Sequence, residues 1–589
     1  MRYYYPNCHS RPVSEYEVNS SGNLFNRFRI KCGMTVVFIL IIHILLTPIY
    51  AYNPDLPNNK FGIHLAQPHL EDLQKAKELI NSSGGDWGYV TLVIQENDRD
   101  KNKWQEIFDL MRGLHLIPII RLATVPEADR WRRPAEEDAD SWAEFLNSLH
   151  WVVKEHYIIL FNEPNHGSEW GGEVDAQNYT QVALTFAQKL KEKSPEFFIM
   201  LAGLDASAPN SLPRFQDEAD FLNQFFNNTE IEQFNNLFSG FASHSYPNPG
   251  FSGSPYDFGR GSIRNYEWEL NLLKQLGIKD PPVFITETGW RRGDETTIAD
   301  YFKIAFDQIW LPDNRVVAVT PFVLDYQGEP FLNFSWKKFQ NSDFYPQFYT
   351  VQSLSKTKGE PVQIEKGEIF FDFPKELVAD SSFHFTVRLK NLGQAVWDKN
   401  FGYQLSVVPP SLEYFFADLK KIRPFEETDI DLYIKTNGTL GKRNAQIVLK
   451  KEDKEILKSD GWRFEVFPLP SLEFSLKLFP KFTTQADDFE IQVFNKEEEL
   501  VLKRKQVKVK KGKGKIEEVQ NVVLGSKYRV VILKPYYLPR QAFITFGKSV
   551  NKVSFEPMLP FDFSPNGKFD VRDFMTFLQN PKSLNLLFP

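Results

Sequence analysis

Two rhythms of apolar residues divide this chain. From residue 61 to about 345, short runs of β-branched and aromatic residues alternate with longer stretches whose apolar positions recur at helical spacing. The runs fall at 61–66, 88–94, 116–122, 157–161, 197–201, 240–243, 283–286 and 316–324. Helical patterns lie between them, at 70–80, 104–112, 142–154, 179–193, 217–226, 263–276 and 298–310. A continuous apolar run suits a strand buried on both faces. Eight such runs alternating with helices over roughly 285 residues have the size and rhythm of a (β/α)8 TIM barrel, an α/β fold expected over 60–345. An open doubly wound sheet is the alternative. The lack of a Gly-rich phosphate loop after the first run argues against it.

After Pro361 the period shortens to two. The stretch 383–407 reads as two strands around a turn, and 462–469 closes the run. Residues 361–468 are expected to form an Ig-like β-sandwich, which resembles the accessory sandwiches of bacterial wall and polysaccharide enzymes. Residues 469–556 are expected to form a second small all-β domain, whose stretch 527–546 resembles transthyretin-like bacterial modules.

The N-terminus has a different pattern. No charged residue occurs from Cys32 to Pro54, and 34–46 is strongly apolar. Arg27, Arg29 and Lys31 precede it, so the positive-inside rule predicts a cytoplasmic lead at 1–32 and a transmembrane segment at 33–52. Ile49, Tyr50 and Ala51 resemble a signal-peptidase site. Two localisations follow: a membrane-anchored protein with an extracellular catalytic domain, or a secreted one if the signal is cleaved.

Composition narrows the partners. A chain of 589 residues exceeds one hydrophobic core. A net charge of −7 gives no reason to expect nucleic acid. Aromatic residues at 15% leave rings to stack on sugars after the cores are filled. The two cysteines are Cys8 and Cys32, so the chain beyond them has no disulfide. Eight of the thirteen residues from Lys503 to Lys515 are basic. They read as a solvated edge hairpin, or as attraction to an anionic surface such as a cell-wall glycan or membrane.

The fourth run leads into Asn162, Glu163 and Pro164; the seventh leads into Glu287, Thr288, Gly289 and Trp290. In a TIM barrel the C-terminal ends of the strands line the active site, so both carboxylates should face one cleft. Glycosidic cleavage needs such a pair, one protonated to serve the leaving oxygen and one ionised. Repulsion and burial are expected to push the acid's pKa up.

These residues resemble the clan A glycoside hydrolases, families 5 and 39 among them. That clan has an Asn-Glu pair after strand four and a Glu after strand seven. The sixth run ends in Phe241, Ala242, Ser243, His244, Ser245 and Tyr246, similar to the His-x-Tyr of family 5. The resemblance covers about half the chain. It implies that Glu163 is general acid then base, and that Glu287 is the nucleophile. It also implies that Asn162 bonds the sugar 2-hydroxyl, that Tyr246 donates to Glu287, and that His244 holds substrate or the acid/base. Arg121 would steady the carboxylates. Trp290 and Trp170 are candidate sugar platforms. His64, ending the first run, is a candidate cleft residue, and His166 reads as loop. Many clan members carry a Trp after strand eight. Here residues 316–330 hold none, and Phe322, Asp325 or Tyr326 would replace it. No His/Cys/carboxylate cluster has zinc spacing, so no catalytic cofactor is expected.

Near the C-terminus, within 557–580, Asp562, Ser564, Asn566, Asp570 and Asp573 occupy positions 1, 3, 5, 9 and 12 of an EF-hand-like loop. Gly567 stands at position 6. The loop resembles a dockerin repeat, which implies structural Ca2+; the plainer reading is a polar turn capping a short helix. The chain therefore reads as an exported retaining glycoside hydrolase acting on a poly- or oligosaccharide. The alternative is a catalytically inactive glycan-binding surface protein, or a barrel that serves as a spacer. Two facing carboxylates favour the enzyme, because binding alone needs neither.

Overall fold

In the computed structural model, residues 59–583 are described, apart from 410, 411, 439 and 481–484. The apolar segment at 33–52 and both cysteines lie outside the described residues. Among the described residues no helix is long and apolar enough to cross a membrane.

Eight parallel strands form the first architecture: β1 (Gly62–His64), β2 (Gly88–Gln95), β3 (Leu116–Ala123), β4 (His156–Leu160), β5 (Phe197–Leu201), β6 (Phe241–His244), β7 (Val283–Glu287) and β8 (Val316–Val319). β1 to β5 pair in order, and β6, β7 and β8 pair in order. A parallel bridge from Phe61 to Val319 joins β1 to β8. At the other seam Ser239 N donates to Ile199 O at 2.9 Å, and Asp205 bridges His244. The sheet is thus a closed barrel. β4, β5 and β7 are buried along their whole length, which is why they read as unbroken apolar runs.

The outer helices are α1 (Leu70–Ile80), α2 (Lys101–Leu114), α3 (Ala139–Asn147), α4 (Ala176–Lys193), α5 (Glu218–Asn227), α6 (Asn265–Gln275) and α7 (Glu295–Ile304). Asp100, Asp175, Asp217 and Asp294 cap four of them, each carboxylate accepting from first-turn amides. Two boundaries differ from the sequence pattern. The helix expected over 142–154 ends at Asn147, because Trp151, Val152 and Val153 turn inward as a buried loop beneath β4. The run 316–324 stops being a strand at Val319, where Pro321 cannot donate to the ladder.

Residues 367–467 form two antiparallel-rich sheets facing each other around Trp397, Leu432, Leu449 and Trp462. An eight-stranded sheet follows over 471–562. Its buried residues continue the sandwich core, so the border at 468–469 is not a break in packing. The C-terminal loop also starts on this sheet, since Pro560–Asp562 pairs with Tyr536–Thr545. The sandwich docks beneath the barrel. Gln394 Nε2 donates to Val153 O at 2.9 Å and Gln363 Nε2 to Val152 O at 2.9 Å, both in the loop entering β4. The strand C-termini lie at the opposite end of the barrel.

Candidate active site

The mouth of the barrel gathers residues from the ends of five strands, β1, β3, β4, β6 and β7. Glu287 is the last residue of β7. Ser245 N donates to Glu287 O at 3.1 Å, and Thr288 Oγ1 donates to Ser245 O at 2.6 Å, locking the ends of β6 and β7 together. Glu163 lies just past β4 with φ of 31°, a left-handed conformation that costs a non-glycine residue energy and clusters at functional sites. Its neighbours hold it there. Glu163 N donates to Gly203 O at 3.2 Å, and His166 N donates to Glu163 O at 2.8 Å. Buried Asn165 ties this loop to the one after β5, donating to Asp205 O at 2.9 Å and accepting from Asp205 N at 3.2 Å.

Side-chain oxygens of Glu163 and Glu287 and a ring nitrogen of His244 all lie within 4.8 Å of one another. His244 Nδ1 is 2.7 Å from Glu163 Oε1 and 3.9 Å from Glu287 Oε2. Tyr246 donates its hydroxyl to Glu287 Oε2 at 3.1 Å, and Arg121 Nη1 donates to Glu287 Oε1 at 2.7 Å. Arg121 also donates to Asn162 Oδ1. His64 Nε2 stands 4.0 Å from Glu287 Oε1, and neither of its ring nitrogens has a hydrogen-bond partner. Glu163, Glu287, Asn162, Arg121, His244, Tyr246 and His64 therefore meet at one point.

The electrostatics favour an ionised Glu287. Burial pushes the Glu287 carboxyl up, but the charges of His244 and Arg121 and the Tyr246 hydroxyl outweigh it and hold Glu287 below the usual carboxylate range. Burial alone would depress His244; the carboxylates of Glu287 and Glu163 instead raise it. Burial drives His64 down to about 3, so it is a neutral imidazole with a ring N–H to offer. The three clustered ligand atoms of Glu163, His244 and Glu287 are the kind that bind cations. Here Arg121 and the His244–Glu163 bond already engage them, and a dication would face the guanidinium at close range.

Aromatic rings wall the side near Glu287. Phe322 packs edge-on to His64 at 5.0 Å and to Phe331 at 5.1 Å, and Tyr326 meets Phe331 at 5.3 Å. Phe331 is 40% exposed. Phe322 is backed by Phe334, in the stretch after β8 that holds no Trp. Asp325 is not part of this wall, because it pairs with Lys337 at 2.8 Å.

Two candidate platforms are corrected. Trp170 is fully buried against Phe161 and Tyr179, with its ring N–H on Asn178. Trp290 is buried against Tyr301 and Phe302, with its N–H on Gly253 O at 2.8 Å. Periodicity does not separate a ring that packs from one that stacks on a ligand.

Several residues of the cleft carry no sequence motif of their own. His166 Nε2 pairs with Asp205 Oδ2 at 2.8 Å beside the Glu163 loop. Glu169 lies on the turn Gly167–Glu169, where its Oε2 accepts from Asn162 Nδ2 at 3.2 Å. Burial, then the charge of Glu163, pushes Glu169 up to about 7. The signal for it was its place six residues beyond Glu163 in the same loop.

Behind β6, Glu218 and Glu269 form a fully buried carboxyl pair, and Ser243 Oγ donates to Glu269 Oε2 at 2.5 Å. Burial raises both carboxyls, and their mutual repulsion raises Glu218 further, against Arg260 at 3.7 Å. Raised folded values mean stabilisation that is complete below the unfolded carboxyl range and is lost as pH rises through the folded values. Glu218→Gln should therefore gain stability on the wild type as pH rises from 5 to 8. Thermal unfolding at both pH values measures this, and parallel curves would contradict it.

The C-terminal loop is folded as a helix cap. Asp570 accepts from Arg572 N and Asp573 from Asp570 N, a capping box that opens Val571–Gln579. Asp562 accepts from Asn566 N and Gly567 N, and Asp573 Oδ1 accepts from Ser564 N and Oγ. Asn566 Nδ2 reaches Asp570 at 3.3 Å. The donor set is all oxygen, as a hard cation requires. Its carboxylates are turned onto loop donors, and they are not among the converging metal-ligand groups of the described residues.

No family model matches the chain, and no curated protein matches it. Among solved structures, an endo-β-1,4-glucanase of Xanthomonas axonopodis pv. citri is 13% identical, over 50% of this chain and 98% of that one, at a TM-score of 0.37. A glucosidase of Croceicoccus marinus is 10% identical, over 80% of this chain and 95% of that one, at a TM-score of 0.37. A β-mannanase of Thermomonospora fusca is 15% identical, over 51% of this chain and 92% of that one, at a TM-score of 0.34. Similarity this low leaves the geometry of the site to carry the function.

Proposed function

We propose that the protein is a retaining glycosidase that cleaves O-glycosidic bonds of a poly- or oligosaccharide by double displacement. The observation that carries this reading is the spacing of the two acids. Oxygens of Glu163 and Glu287 lie within 4.8 Å at the mouth of a closed barrel. Retaining enzymes hold their carboxyls about 5–5.5 Å apart, whereas inverting enzymes leave about 6.5–9.5 Å for a water.

The roles follow from the contacts. Glu287 is ionised and buried, with one bond on each oxygen, so it is poised to attack the anomeric carbon. As that bond forms, the bond to the leaving oxygen breaks and takes the proton of Glu163. Water then attacks the same carbon, Glu163 takes its proton, and Glu287 leaves. The contact of His244 Nδ1 with Glu163 Oε1 holds that carboxyl in place through both steps. Asn162 offers its amide to the sugar 2-hydroxyl, and neutral His64 offers a ring N–H beside the nucleophile. The Phe322 and Phe331 rings supply apolar surface for a sugar face.

The apolar segment at 33–52, behind a basic flank, supports a location outside the cytoplasmic membrane, anchored or secreted, where polymeric glycans occur. The calcium reading of the C-terminal loop rests on its ligand spacing.

The test is covalent trapping. A fluoro-sugar that arrests the second step should label Glu287 in the wild type, as read by peptide mass spectrometry. Labelling of another residue, or none with any sugar of a panel, defeats the reading.

A glycine supports the arrangement. A methyl carbon at Gly203 would stand 2.2 Å from His244 Cδ2 and 2.6 Å from Nε2. Gly203→Ala should push the ring off Glu163 and cost roughly 10²-fold in kcat, with a lowered melting temperature from the overpacking. Wild-type turnover in this variant would show that the ring position is not critical.

A further inference from the structure

The side-chain amide of Asn162 is held at both ends. Its oxygen accepts from Arg121 Nη1, and that same guanidinium nitrogen binds Glu287 at 2.7 Å. Its nitrogen donates to Glu169 Oε2 at 3.2 Å. An amide has two N–H donors. One is on Glu169, and the other remains for a ligand.

Glu169 is itself fixed. The turn that carries it begins at Gly167, where a Cβ would stand 2.9 Å from Pro213 O and 3.0 Å from Gly172 O. Buried Trp170 follows it, and Arg133 Nε donates to Trp170 O at 3.2 Å. Glu169 therefore presents its carboxyl from a rigid platform.

We propose that Glu169 is the positioning residue that orients the Asn162 amide, and through it the contact with the substrate's 2-hydroxyl. The inference rests on the glycosidase reading of the same cleft. Without Glu169, the amide keeps Arg121 as its sole anchor and can rotate about that bond. The contact to the 2-hydroxyl is one that strengthens in the transition state, so its looseness costs rate rather than ground-state binding.

The surroundings suit this task. The groups facing Glu169 are Glu163, Glu287, Arg121 and His166. With Glu169 pushed up to about 7, a proton is available to it near neutrality. A neutral carboxyl still accepts from Asn162, and it adds no third negative charge beside the two acids.

The experiment compares two variants on two substrates. The substrates are the dinitrophenyl glycoside that the wild type hydrolyses fastest and its 2-deoxy analogue. Glu169→Ala should lower kcat about tenfold on the first, with KM nearly unchanged, and should match the wild type on the 2-deoxy sugar. Glu169→Gln keeps a carbonyl acceptor for Asn162 and should restore most of the rate. Equal losses on both substrates, or no rescue by Gln, would overturn the proposal. A wild type that is neither active nor labelled at Glu287 would instead defeat the glycosidase reading, and Glu169 with it.

Discussion

Glu287→Gln is expected to lose at least about 10⁴-fold in kcat on any substrate the wild type cleaves. The amide carries no charge and is a poor nucleophile, so the glycosyl-enzyme does not form. The change is nearly isosteric, so Tyr246 retains an acceptor at the position it now reaches at 3.1 Å. The full charge of Arg121, now 2.7 Å from a carboxylate, then has no anion to neutralise it at that end. That charge opposes the positive charge developing at the sugar. The loss should therefore exceed what a missing hydrogen bond explains. Initial rates on purified protein measure it. A variant within tenfold of the wild type would remove Glu287 from the chemistry.

Glu163→Ala comes next, with an expected loss of about 10²–10⁴-fold. Its diagnostic is dependence on the leaving group. A dinitrophenolate departs without a proton, so the first step survives and the glycosyl-enzyme accumulates as a burst. An alkoxide or sugar leaving group needs the proton, so natural substrates should suffer most. Azide, which needs no general base, should restore turnover of the activated substrate and yield a glycosyl azide with the starting anomeric configuration. An equal loss on good and poor leaving groups, with no azide rescue, would give Glu163 a structural role. His244 loses its partner at 2.7 Å in this variant but keeps Glu287 at 3.9 Å, so the ring has a remaining counter-charge.

Much of this site was legible because barrel geometry converts sequence position into spatial position. A residue at the end of a buried parallel run must emerge at one face of the barrel. His64, Asn162, Glu163, His244 and Glu287 were found that way. The rule also has limits. It marks a ring near a strand end without saying which way the ring turns, so Trp170 and Trp290 looked like platforms and are packed interior. It does not see turns that fold back over the mouth. Glu169 sits on such a turn, and the wall of Phe322 and Phe331 is completed by the long loop after β8. The helix expected over 142–154 failed for a related reason. Its apolar residues at 151–153 serve the base of the barrel and the docked sandwich, which a local period does not distinguish from a helix face.

The sequence by itself determined the alternation of strand and helix, the order of the chemically active residues along the barrel, and the change to β structure after residue 361. Those are properties of local period and chain order, and backbone geometry reads them a few residues at a time. Tertiary structure alone decided the distances. Arg121 reaches Glu287 across 166 residues of chain, and His244 reaches Glu163 across 81. Whether such groups meet at 3 Å or 8 Å depends on barrel closure, on Gly203 leaving room for a ring, and on the pinned turn beneath Glu169. The charge states followed from those distances, because burial and Coulomb interaction both act through space and not along the chain.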